Sequence, residues 1–153
     1  MAPMYPAPTF PGVPGTPSAS AGKTDALALL RDSLSSASGA NWLETLRSGL
    51  RQLRTDLHEH IAATEGPDGL YDEVGRSDPR LACTATRLRR EHGRLSAIVD
   101  ELSAGAAHEP VDPGWLNSAR PRIRDLVRQW GSHRRRDTQL AYDSVSLDIG
   151  GQD

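Results

Sequence analysis

Three stretches of the chain place an apolar residue at every third or fourth position and then interrupt the row with a histidine. The first reads Leu43, Leu46, Leu50, Leu53, Leu57 and continues onto His60 and Thr64. The second reads Leu81, Ala85, Leu88, His92, Leu95, Val99, Leu102. The third reads Ala119, Ile123, Leu126, Trp130, His133, Asp137, Leu140. A strand buries alternate residues, whereas spacings of three and four put every member of such a row on one stripe of an α-helix. A shorter row, Leu27, Leu30, Leu34, follows Thr24 or Asp25 as cap. Short connections between long helices make antiparallel neighbours. The expected fold is therefore all-α, an up-and-down antiparallel bundle of three long helices plus a shorter first helix.

Punctuation residues set the boundaries. Asn41 is a good cap for the second helix, which runs to about Glu65. Gly66-Pro67-Asp68-Gly69 breaks or kinks it, and Leu70, Tyr71 and Val74 predict a further short turn of helix. Asp78-Pro79 is a cap followed by proline at the first helical position, so the third helix starts there. After a loop through Gly105, His108 and Pro110, the last helix begins at Trp115 or at Ser118, with Pro121 just inside it. Residues 1–23 hold six of the eleven prolines and bury too little to offset their ordering entropy, which predicts a disordered tail whose Tyr5 and Phe10 could dock in a partner's groove. The bundle is expected over residues 24–145 and an irregular tail over 146–153. A chain of 153 residues is the size of one such domain.

Composition excludes several functions. Net charge is -2, so there is no overall field to draw phosphate or anionic lipid, and neither nucleic acid nor membrane is an expected partner. Lys23 stands alone against seventeen arginines, a bias that fits GC-rich codons and a high-GC bacterial genome. Arg134-Arg135-Arg136 reads as a solvated helix face. The lone Cys83 fits a reducing compartment, and with no apolar leader the expected location is the cytoplasm. There is no phosphate loop, no nucleophile beside a base and no evident pair of carboxylates in a cleft, so an enzyme is not expected.

The polar residues in the seams carry what remains. A polar group buried without a partner costs roughly 1 to 3 kcal/mol, so His60, His92, His133 and Asp137 must partner one another, a water or a metal. His92 lies about twelve residues before the end of its helix and His133 about twelve after Pro121, which puts the two at one level. His60 joins them if residues 67–74 continue the second helix as a kinked extension. His133 and Asp137, four apart, share one face, as bundle metal sites require. A metal site and a metal-free polar cluster both satisfy the pattern. His58 lies off the seam and His108 in a loop, so neither is a candidate.

The stretches LHEHIAATEGPDGLYDEV, RLRREHGRLSAIVDEL and LVRQWGSHRRRDTQLAY resemble the hemerythrin-like (HHE cation-binding) family of four-helix bundles with a non-haem di-iron centre. The resemblance covers roughly residues 40 to 145. It implies that His60 matches the second helix's histidine, His92 the first histidine of the third, and His133 with Asp137 the final pair. Thr64 stands where the family has its bridging glutamate, with Glu65 one place late and rotated by about 100°. Ser96 replaces a further histidine, and the first helix has none. These departures argue against a complete di-iron centre and leave either no metal or a single transition-metal ion, iron among the choices, held by His60, His92, His133 and Asp137. Glu65 could join only if the helix unwinds at Gly66-Pro67. Two functions follow as expectations: a non-enzymatic accessory or interaction protein with a protein partner and an incomplete or absent metal site, or a metal-binding bundle that senses or binds oxygen or redox state.

Overall fold

In the computed structural model, which describes residues 25–35 and 40–149, the chain forms five helices and no strand among those residues. They are α1 (Ala26–Ser35), α2 (Ala40–Glu65), α3 (Leu70–Ser77), α4 (Pro79–Ala107) and α5 (Pro113–Ile149). The proline-rich stretch 1–23, the alternative cap Thr24 and the last residues from 150 onward lie outside the described residues. No helix among the described residues is long and apolar enough to cross a membrane.

Caps explain most of the helix starts. The Asp25 carboxylate accepts from the Leu27 N–H at 3.0 Å. Asp78 accepts from the Arg80 N–H at 2.9 Å, with Pro79 in the first helical position. Asp112 accepts from the Gly114 N–H at 3.0 Å, again ahead of a proline, Pro113. That third Asp-Pro start was not read from the sequence: α5 begins at Pro113 rather than at Trp115 or Ser118, and Pro121 lies inside it. Asn41 likewise falls one residue inside α2 rather than capping it. The chain end differs too, because α5 continues through 146 to Ile149 where an irregular tail is expected. Its last described turns overhang, with Tyr142 and Val145 exposed.

Ion pairs fix the directions of packing. Between α2 and α4, Arg54 pairs with Asp100 and Glu65 with His92, and between α4 and α5, Glu101 pairs with Arg122 and Glu91 with Arg136, so each neighbour runs antiparallel. α1 folds back on α2, where the Trp42 indole N–H donates to the Ser33 carbonyl. Leu30 packs against Gly49, whose missing Cβ would stand 2.9 Å from Leu30 Cδ2. α2 and α5 are diagonal and do not touch along their backbones. The fourth corner is divided: α1 closes one end of the bundle by packing on α2 and α5, and α3 closes the other by packing on α2, α4 and α5.

The core is correspondingly in two parts. The larger includes Leu30, Leu46, Leu50, Leu53, Val99, Leu102, Ile123 and Leu126, at the α1 end. The smaller consists of Tyr71, Val74, Ala85, Leu88 and Leu140, at the α3 end. Buried polar residues His92, His133, Asp137 and Thr64 lie on the helices between the two.

Candidate metal centre

Each long helix delivers its histidine because it occupies an apolar slot. Leu57 precedes His60 by one turn on α2, Leu88 and Leu95 flank His92 on α4, and Trp130 precedes His133 on α5. His92 and His133 are 2% and 0% exposed, so these imidazoles lie in the core itself.

The three rings meet. Centroids are 4.7 Å apart for His92 and His133, 5.2 Å for His60 and His92, and 5.3 Å for His60 and His133. The Trp130 ring lies 5.8 Å from His133, inclined by only 11°, and walls the layer on the side of the larger core. Tyr71, from α3, packs over His92 on the other side at 5.6 Å. The His60 condition drawn from depth counting does not hold, since the chain breaks at residues 66–69 and α3 is a separate helix. His60 reaches the layer anyway. The first turns of α4 pack on α3, so the end of α2 meets the middle of α4, with Glu65 beside His92.

The nitrogen atoms have distinct partners. His92 Nδ1 lies 2.5 Å from Glu65 Oε1, and His133 Nδ1 lies 2.9 Å from Glu91 Oε2. An ionised carboxylate only accepts, so both Nδ1 atoms carry the proton, and in the neutral rings both Nε2 atoms present lone pairs. Those two Nε2 atoms face each other at 2.9 Å. Two lone pairs repel at that distance unless a proton sits on one or a cation lies between them. His60 Nε2 is 3.3 Å from His133 Nε2, and both touch Asp137 Oδ2, the His133 contact being 3.2 Å. Asp137 Oδ2 is buried with no aligned hydrogen-bond donor, while Oδ1 accepts from the Tyr71 hydroxyl at 2.6 Å.

Charges within the layer shift one another. Burial raises Asp137, yet its contacts with His133, His60 and Tyr71 outweigh burial and hold it well below the usual carboxylate range. Burial lowers His133, but Asp137 and Glu91 together leave it above its ordinary value. Burial dominates at His92, which falls below the usual imidazole value. Burial and the Asp137 carboxylate both push the Tyr71 phenol far up. Glu91 is raised by burial, but His133 and Arg136 prevail and lower it.

One donor atom from each of His60, His92, His133 and Asp137 lies within 4.8 Å of every other, so the four could hold a single metal ion. Metal–nitrogen bonds of about 2.0–2.1 Å put neighbouring donors about 2.9 Å apart at right angles and about 3.4 Å apart at tetrahedral angles. The three separations at His133 Nε2, 2.9 Å to His92, 3.2 Å to Asp137 and 3.3 Å to His60, fall in that interval, while His60 Nε2 and Asp137 Oδ2 stand closer than it. Glu65 is not brought into the set. α2 stays helical through Glu65, and its carboxylate stands behind His92 at Nδ1, the side away from the converging Nε2 atoms. Thr64 is buried, its hydroxyl donating to the His60 carbonyl at 2.8 Å. Ser96 lines a surface groove with His58 and Ile61, away from the donors. His108 is exposed beyond the end of α4.

Two participants were missed in the sequence. Glu91 sits one residue before His92, off the apolar stripe, and only the register of α4 against α5 brings it under His133. Tyr71 was read as an apolar position, although a buried tyrosine hydroxyl needs a polar partner and so signals a polar layer nearby. No family model matches the chain, and neither does any curated protein or solved structure.

Proposed function

We propose that this chain is a metal-binding helical bundle, holding one transition-metal ion on His60, His92, His133 and the Asp137 carboxylate. The observation that carries the reading is the convergence of four buried or half-buried donor atoms within 4.8 Å of one another, with three of them at ligand-to-ligand distance from His133 Nε2. A proton on His133 Nε2 would bridge it to one neighbour at a time, His92, His60 or Asp137. An ion relieves every edge at once and engages Asp137 Oδ2, which has no aligned donor.

Three imidazoles and one carboxylate suit zinc, iron or copper rather than calcium or magnesium, which favour all-oxygen cages. Glu65 and Glu91 support the set by fixing the tautomers of His92 and His133 and raising their basicity. On this reading the hemerythrin-like resemblance extends to the scaffold and four ligand positions, with one ion in place of two. Because the ligands come from α2, α4 and α5, bound metal links three helices, and the stability of the bundle follows the supply of the ion. A metal-responsive accessory protein is the role that fits.

The test is a titration of chelator-stripped protein with Zn(II), and separately with Fe(II) under anaerobic conditions, followed by desalting and elemental analysis. One equivalent retained by the natural sequence, and lost in His133→Ala, is expected. Retention of less than a tenth of an equivalent of either metal would refute the proposal.

A further inference from the structure

The hydroxyl of Tyr71 lies beside two of the four proposed ligands, His92 and Asp137. It stands 3.3 Å from His92 Nε2, the same separation that His60 and His133 keep between their Nε2 atoms. It stands 2.6 Å from Asp137 Oδ1, with Thr64 and Glu65 as further polar neighbours. The phenol oxygen is thus placed at donor-to-donor distance from one proposed ligand and beside the carboxylate of another. A phenylalanine would pack on His92 equally well without burying a hydroxyl. α3, the short helix that carries Tyr71, contributes no other polar atom to the layer.

Resting on the reading above, we propose that the Tyr71 oxygen is a fifth donor of the metal site. In the metal-free protein the phenol donates to Asp137 Oδ1. When an ion enters, a metal–oxygen bond forms, the O–H bond breaks and the proton leaves to solvent. Tyr71 also lines a groove of about 500 Å³ between α3 and α4, with Asp72, Ala85 and Arg89, toward which that proton would pass. The bland alternative, a phenol that only orients Asp137 through a hydrogen bond, keeps its proton in both states.

Proton release separates the two. Chelator-stripped natural protein and Tyr71→Phe are titrated with Zn(II) in weak buffer, and the protons released per bound ion are counted. The natural protein is expected to release roughly one proton more than Tyr71→Phe. Equal release overturns the inference while leaving the four-ligand reading intact, whereas no zinc bound by the natural protein overturns both. Should Tyr71→Phe fail to fold, the natural protein decides alone. Loaded with ferric nitrilotriacetate, it is expected to show a visible phenolate-to-iron charge-transfer band that persists in Tyr142→Phe. An uncoloured ferric protein, or ferric iron refused by a protein whose zinc uptake releases no phenol proton by ultraviolet difference absorption, overturns the inference.

Discussion

Replacing His92 by leucine should cost the metal-free protein nothing and cost the metal-loaded protein a great deal. His92 is 2% exposed and its neighbours above and below on α4 are Leu88 and Leu95, so a leucine completes an apolar row. Burying a leucine side chain contributes about 1.5–3 kcal/mol by area, and the desolvation of an imidazole disappears. Against this stand the lost contacts to Glu65 and Tyr71, each worth about 1 kcal/mol net, while the facing lone pairs of the neutral His92 and His133 rings contribute nothing. None leaves an orphan: Glu65 is part-exposed and can return to water, Tyr71 keeps Asp137, and His133 keeps Glu91 and Asp137. The balance in the presence of chelator is therefore zero to about 2 kcal/mol of added stability. Zinc at one hundred times its dissociation constant should stabilise the natural protein by about 2.7 kcal/mol and His92→Leu far less. Urea denaturation followed by circular dichroism, with chelator and with zinc, measures all four states. A loss above about 2 kcal/mol in chelator, together with an unchanged zinc increment, would refute the reasoning.

Glu91→Gln removes the carboxylate that accepts the His133 Nδ1–H, and zinc affinity measured by competition with a chromophoric chelator should fall roughly 10–100-fold. Zinc affinity should also depend on pH. His133 holds its proton above the ordinary value of 6.5, so protons compete with the ion as pH falls through a range that begins above 6.5, and calorimetric titrations at several pH values should show affinity rising with pH there. Two glycines of α4 should respond oppositely to alanine. A Cβ at Gly93 meets nothing within 4 Å, so Gly93→Ala should add about 0.5–1 kcal/mol, whereas a Cβ at Gly105 would stand 2.0 Å from Trp115 Nε1. Gly105→Ala should therefore lose about 1–2 kcal/mol net and shift the Trp115 fluorescence, the displaced ring outweighing the gain in helix propensity.

Much of the bundle was legible because burial on one stripe repeats with the helix period. Every seam residue expected on α5, from Ala119 to Leu140, is buried, as are Ala85 through Leu102 on α4. The helix start at Pro113 was not legible, because proline and glycine at 113 and 114 read as loop punctuation, whereas Asp112 converts that proline into a first helical residue. Pro121 misled for a related reason: a proline within a helix removes one hydrogen bond, and packing of Ala119 and Ile123 on either side holds the helix through it. In the site, the four inward residues were legible as violations of apolar patterning. Glu65, Glu91 and Tyr71 were not assigned their roles, since those depend on inter-helix register and on where α3 folds, and neither leaves a mark in local spacing.

The histidine layer divides the interior into a larger oily compartment closed by α1 and a smaller one closed by α3. On the side of Tyr71 the two meet through the histidine layer, and α3 is anchored by few apolar side chains, chiefly Tyr71 and Val74. Cooperativity of unfolding then becomes a property of the boundary rather than of either compartment. With the layer loosely held, amide exchange at the α3 end proceeds by sub-global opening while the α1 end stays shut. With the layer locked by an ion, both compartments open only together, and the molecule behaves as one folding unit.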